Sequence, residues 1–168
     1  EYDQLKALSP EYVSVTFGAG GSTQKGTLEA VTKLIDLGAS VAPHITCIGT
    51  TKQYVRELMT SYLELGVNRV VALRGDFPDG TPVHGEFDYA ADLVRFLRAE
   101  YGDELIVEVG AYPEIHPEAI SPKTDLLNFK KKVDAGANAA ITQYFFNADS
   151  YFSFMDDLSR MGVNVPVI

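Results

Sequence analysis

Apolar runs recur along this chain at nearly fixed intervals. YVSVTF (12–17), VAPHITC (41–47), RVVALRG (69–75), LIVEVGAYP (105–113), AAITQYFF (139–146) and VPVI (165–168) begin 29, 28, 36, 34 and 26 residues apart. Their β-branched content reads as strand. Between them lie amphipathic stretches, the clearest with Val55, Leu58, Met59, Tyr62 and Leu63 at helical spacing and another with Leu28, Val31, Leu34 and Ile35. Four of these helices close in the same way, at Gly38-Ala-Ser, Gly66-Val-Asn, Gly136-Ala-Asn and Gly162-Val-Asn. Glycine there accepts the left-handed conformation that ends a helix. A run of βα units with no hairpin signal requires a parallel sheet with right-handed crossovers.

Two architectures satisfy that requirement, an eight-fold barrel and an open doubly wound sheet of six strands. A barrel of eight units takes ~250 residues, or ~31 per unit, which matches the spacing. The predicted fold is therefore α/β, an incomplete (β/α)8 TIM barrel with about six of its eight strands, spanning 1–168 as one partial-barrel catalytic domain. The chain begins in helix-like EYDQLKALS and stops on the strand-like VPVI. It is thus expected to be cut short at both ends, with a strand missing before residue 1 and at least a helix, a strand and a helix missing after Ile168.

Charge narrows the partners. Fourteen Lys and Arg stand against 23 Asp and Glu, a formal charge of −9, and such a surface repels nucleic acid and anionic membrane. The single cysteine, Cys47, cannot form an internal disulfide, and no apolar run approaches the ~20 residues of a membrane span or has a signal-peptide pattern. A reducing cytoplasm fits this composition best.

In either architecture the active site lies at the carboxyl ends of the strands. Thr16 ends the first run, His44 and Thr46 sit in the second, Arg74 and Asp76 end the third, Tyr112, Glu114 and His116 end the fourth, and Gln143 sits in the fifth. Buried polar groups must be hydrogen-bonded or they cost on the order of 1–3 kcal/mol, so a ring of them reads as a ligand-facing layer. Each has a blander reading beside it. His44 also suits a core histidine bonded to backbone, Gln143 a side chain satisfied inside the barrel, and Asp76 a helix cap. The cap reading is weakened by Pro78, Asp79, Gly80 and Pro82, which delay the next helix to about residue 87. His44 and His116 with nearby carboxylates could form a metal site, but they stand singly on separate strands, and no metal is expected.

The loop Gly18-Ala-Gly-Gly-Ser-Thr23 lies where glycines let backbone amides approach phosphate, although it lacks the third glycine of a dinucleotide fingerprint. Lys130, Lys131 and Lys132 form a short basic run, either a solvated helix face or, with Asn128, a cradle for a diphosphate. His84, in a Gly- and Pro-rich loop, reads as structural or surface.

These residues resemble one family closely, the bacterial-type, FAD-dependent methylenetetrahydrofolate reductases. The matching segments are VSVTFGAGGST (13–23), APHITC (42–47), VALRGD (71–76), AYPEIHPEA (111–119), DLLNFKKKVDAGANAAITQYFF (125–146) and VPVI, in family order across nearly the whole chain. AYPEIHPEA together with LRGD is highly specific. The resemblance implies a flavoprotein oxidoreductase of one-carbon metabolism and methionine biosynthesis, reducing 5,10-methylenetetrahydrofolate to 5-methyltetrahydrofolate. It implies FAD as cofactor and NAD(P)H as electron donor, with ping-pong hydride transfer through FAD, in a cytoplasmic homo-oligomer. Residues matching the family's flavin contacts are Phe17, Ala19, His44, Arg74, Gly75, Asp76, Tyr89, Ala90, Tyr112, His116, Ala119, Asp125, Asn128, Lys131 and Lys132. Thr16 matches a position at the nicotinamide and Gln143 one at the folate pterin.

Asp76 is also the residue expected to act in catalysis, where its carboxylate would stabilise the cationic iminium form of the folate. One departure stands out: the family's general-acid glutamate, in a Phe-Glu-Phe-Phe-Pro-Pro context on the first strand, has no match in this sequence. The resemblance does not decide between NADH and NADPH. Two readings compete with it: an inactive fragment or binding module of the same fold, and a different barrel enzyme, a Schiff-base aldolase or a metal-dependent one. The aldolase needs a lysine at a strand end, and no strand end here has one.

Overall fold

In a computed structural model of the chain, residues 2–17, 24–76 and 85–168 are described. They fall into two compact units, Glu1–Tyr89 and Ala90–Ile168. Along the chain the elements run α1 (Tyr2–Leu5), β1 (Val13–Val15), α2 (Gln24–Asp36), β2 (Val41–Thr46), α3 (Lys52–Glu64), β3 (Arg69–Leu73), α4 (Ala90–Tyr101), β4 (Ile106–Ala111), α5 (Pro122–Asp134), β5 (Ala139–Thr142) and α6 (Ala148–Arg160). Every strand is followed by a helix, the βα alternation of an incomplete (β/α)8 barrel, as the spacing predicts.

In the first unit three parallel strands pair in chain order, with Val13 opposite Val41 and His44 opposite Val71. Val41, Pro43 and Ile45 of β2 are buried while His44 and Thr46, on the alternate face, are half-exposed. Helix α3 starts because the Thr51 hydroxyl accepts a hydrogen bond from Tyr54 N at 3.1 Å. It buries Val55, Leu58, Met59 and Tyr62, one stripe at helical spacing. Each such side chain contributes about 1.5–3 kcal/mol of burial.

The second unit repeats the plan. Strand β4 pairs in parallel with β5, Glu108 opposite Ala139. The segment read as a sixth strand makes a single bridge, Val167 to Ala140, with Ile168 N donating to Ala140 O at 2.8 Å. Helix α4 buries Ala91, Leu93, Val94, Phe96 and Leu97. Helices α5 and α6 meet through an edge-to-face contact of Phe129 and Phe154, 5.4 Å between ring centres. Ser121 caps α5 ahead of Pro122, and Asn147 caps α6.

The four helix-closing glycines take φ of +84° at Gly38, +79° at Gly66, +112° at Gly136 and +68° at Gly162. This is the left-handed geometry that the sequence pattern predicts. Every strand is shorter than its apolar run; β1 ends at Val15 and β5 at Thr142, which leaves Thr16 and Gln143 just beyond the paired residues. Helix α4 starts at Ala90, slightly later than the expected position near residue 87. No helix among the described residues is long and apolar enough to cross a membrane.

Candidate functional site

In the first unit the expected residues gather where β1, β2 and β3 end. The β2–β3 ladder continues past both strands, Cys47 N donating to Leu73 O at 3.0 Å and Ile48 N to Arg74 O at 2.9 Å. That continuation presses the backbone of Gly75 against β2. A Cβ at Gly75 would lie 3.0 Å from Thr46 Cβ and 3.1 Å from Ile48 Cγ2, and φ there is +85°. Only glycine meets both conditions without strain. Arg74 Nε donates to Gly75 O at 3.2 Å, and Asp76 follows with an exposed carboxylate.

His44 carries an electrostatic signal near these strand ends. Its Nε2 is buried and has no hydrogen-bond partner. Burial pulls its pKa below the usual 6.5, so the ring is neutral at pH 7. An unsatisfied buried nitrogen costs about 1–3 kcal/mol, which a ligand group placed against it would remove. Thr16 is exposed, and its carbonyl accepts from Thr27 Oγ1 at 3.4 Å. Tyr89 is 65% exposed. Ala19 and His84, with the loop 18–23 and residues 78–82, lie outside the described residues.

The second unit brings its share together more tightly. After β4 the chain turns through Tyr112 to His116, whose rings pack edge to face at 4.5 Å. The Asp125 carboxylate accepts a hydrogen bond from His116 N at 2.8 Å, and His116 O accepts from Ala119 N at 2.9 Å. His116 Nδ1 accepts from Glu118 N at 3.1 Å, so in the neutral ring Nε2 carries the proton and acts as a donor. Ala90 begins α4.

The three lysines of α5 separate. Lys130 pairs with Asp134 at 2.6 Å, and Lys131 is exposed and donates to Asn128 Oδ1 at 3.1 Å. Lys132 turns inward, its Nζ donating to Gly110 O and lying 5.3 Å from the centre of the Phe129 ring. Burial pulls the Lys132 amine down to about 8, partly opposed by the charge of Asp125. Lys130 and Lys131 thus bond on the outer side of α5, whereas Lys132 bonds toward β4.

Gln143 continues the β4–β5 ladder, its N donating to Ala111 O at 2.6 Å. Its side-chain Oε1 accepts from Tyr144 N at 3.0 Å, which leaves the amide NH2 to donate outward. A cleft of about 640 Å3 opens between the starts of α5 and α6, with Tyr112, Ile115, Asp125, Leu126 and Phe154 among its walls.

Sequence reasoning did not single out Glu86, and it placed Glu114 in the ligand-facing layer without its partners. Glu86 N donates to Thr50 O at 2.9 Å while its carboxylate accepts from Lys52 N at 2.8 Å, which pins the residues before α4 to the start of α3. Glu114 bonds the amides of Phe146 and Asn147. No local motif announces either one, because the partners lie 34, 32 and 33 residues away.

Comparison with known proteins gives these sites a context. The family model described as "Methylenetetrahydrofolate reductase" matches residues 1–168. The 5,10-methylenetetrahydrofolate reductase of Escherichia coli K12 is 45% identical over 168 residues, covering 99% of this chain and 55% of that protein. Its counterpart in Pectobacterium carotovorum is 44% identical over 169 residues, with the same coverage of 99% and 55%. A probable methylenetetrahydrofolate reductase (NADH) from Oryza sativa is 36% identical over 180 residues, covering 99% of this chain and 30% of the plant protein. The chain thus spans about half the length of the bacterial relatives it matches. Among solved structures, 2,3-dimethylmalate lyase aligns with a TM-score of 0.59 at 12% identity, over 99% of this chain and 68% of that one. A Clostridium thermocellum protein that binds two copies of 5-methyl-5,6,7,8-tetrahydrofolic acid aligns with a TM-score of 0.55 at 16% identity, over 98% and 68%. At such identities these two likenesses concern the fold alone.

Proposed function

Because this chain belongs to the methylenetetrahydrofolate reductase family, we propose that the protein reduces 5,10-methylenetetrahydrofolate to 5-methyltetrahydrofolate, with FAD as cofactor and NADH or NADPH as electron donor. The observation that carries this reading is the match of the family model along all 168 residues. We place the activity in cytoplasmic one-carbon metabolism and methionine biosynthesis, and the protein in a homo-oligomer, on the strength of the family resemblance.

The residues present fit FAD. In the first unit the unpartnered Nε2 of His44 offers a hydrogen-bonding atom to a ligand, and the close packing of Gly75 on Thr46 and Ile48 fixes the backbone that carries Arg74 and Asp76 beside it. In the second unit Lys131, Asn128 and the inward Lys132 supply the donors and positive charge that suit a diphosphate, and Asp125 secures the turn bearing His116. Phe17, Arg74, Asp76, Tyr89, Ala90, Tyr112 and Ala119 complete the described residues proposed to contact it. When bound, FAD supplies the hydride chemistry that amino-acid side chains lack.

The rest is the protein's own work. The exposed carboxylate of Asp76, at the end of β3, opposes positive charge developing on the folate. Gln143, with its oxygen held by Tyr144 N, donates its NH2 to an acceptor on the pterin edge. Thr16, exposed beyond β1, contacts the nicotinamide. The test is to mix the protein with FAD, desalt it, and record the visible spectrum before and after anaerobic NADH and NADPH. Flavin that is retained and bleaches with a pyridine nucleotide is the expected result; protein that retains no flavin refutes the reading.

A further inference from the structure

We infer that Glu114 is a positioning residue for the folate end of the reaction, acting through the loop that carries Gln143; the inference rests on the function proposed above. Glu114 lies in the turn after β4, and its carboxylate bonds the backbone of the β5–α6 connection. Its Oε1 accepts hydrogen bonds from Phe146 N at 3.0 Å and Asn147 N at 2.7 Å. One carboxylate oxygen thus gathers two amides from the far end of the β5–α6 connection.

The geometry of that connection makes the clamp matter. At its start Gln143 N is held by Ala111 O at 2.6 Å, and at its end Phe146 and Asn147 are held by Glu114. Between these ties Tyr144 and Phe146 are 78% and 86% exposed, so burial does little to hold them. Asn147 is also the cap of α6, its side chain accepting from Asp149 N at 2.9 Å, so the Glu114 charge sits at a helix N-terminus, where negative charge is favoured. Glu114 is itself exposed, and exposed polar bonds add little to global stability. Its effect is therefore local, on the placement of Gln143 and the two aromatic rings beside it.

Two variants of the FAD-loaded protein test this, E114A and E114Q. Hydrogen exchange at the Phe146 and Asn147 amides should rise about tenfold in E114A as the loop is released. KM for methylenetetrahydrofolate should rise about tenfold, while flavin content and the rate of flavin reduction by pyridine nucleotide match wild type. E114Q, whose amide oxygen still accepts, should stay within about threefold on every measure. A wild-type folate KM in E114A overturns the inference, as does an equal loss in flavin content and both half-reactions, which marks a merely structural residue. Wild-type protein that retains no FAD refutes the proposed function and the folate role with it, whereas unchanged exchange in E114A refutes the clamp itself.

Discussion

Replacing Arg98 by alanine removes a guanidinium that ties three stretches of backbone in the second unit. Its Nε donates to Gly136 O at 2.7 Å, Nη1 donates to Gly102 O at 2.7 Å and also to Leu105 O, and Nη2 reaches Asn138 Oδ1, which also accepts from Val107 N at 2.8 Å. The two part-buried bonds, to Gly136 and Leu105, contribute about 1.5 kcal/mol each and the exposed ones little, so R98A should cost about 3 kcal/mol. Gly136 is coupled to the same side chain. It has φ of +112°, and a Cβ there would stand 2.7 Å from Arg98 Cγ and 3.1 Å from Cδ and Nε.

G136A therefore carries backbone strain of about 1 kcal/mol and pushes Arg98 off about half of its bonding, for about 2.5 kcal/mol in all. Once Arg98 is gone, only the strain remains. The double variant should then cost about 4 kcal/mol, not the ~5.5 of independent sites, a coupling of about 1.5 kcal/mol. Urea unfolding followed by far-ultraviolet circular dichroism reads all four corners of the cycle. Costs that add to within about 0.5 kcal/mol would refute the reasoning, because Arg98 would then not be what the new methyl group strikes.

Three further outcomes are expected. G75A meets Thr46 and Ile48 at close range besides its left-handed strain, for about 2–4 kcal/mol, whereas G66A, with nothing within 4 Å, carries strain of about 1 kcal/mol alone. Thermal melts should rank them so, and G75A alone should shed flavin on desalting; equal loss in both would remove Gly75 from the site. Stability should fall as pH drops below 6.5, because the unfolded chain protonates His44 more readily than the fold does. For the same reason stability should rise from pH 8 to 10.5, where unfolded Lys132 still holds its proton. H44Q and K132M should each flatten one arm of the pH–stability curve, and curves parallel to wild type would contradict the burial of these groups.

Periodic features were legible in the sequence because they are local. The glycine after each helix needs only its own backbone to take positive φ, and the stripe Val55, Leu58, Met59, Tyr62 needs only the helix pitch to face inward. Where a strand stops is different: the run 12–17 is apolar to Phe17, but β1 pairs only while Val41–Pro43 lies opposite it. The inward turn of Lys132 could have been read from Phe129, buried three positions earlier on the same helix face. The partners of Glu114 and Glu86, and the bonds of Arg98 to Gly136 and Asn138, could not, since the fold supplies them from a distance.

The even spacing of the strands also bears on how the chain reaches its fold. Val13 meets Val41, His44 meets Val71 and Glu108 meets Ala139, so each pairing closes a loop of 28, 27 or 31 residues. The entropy of closure grows only as the logarithm of length, and these loops differ by about 0.1 kcal/mol. No pairing is favoured by topology over another. The order in which the βα units form is then left to side-chain burial, so truncating an apolar residue such as Leu97 or Ile45 should redirect the folding route rather than merely slow it.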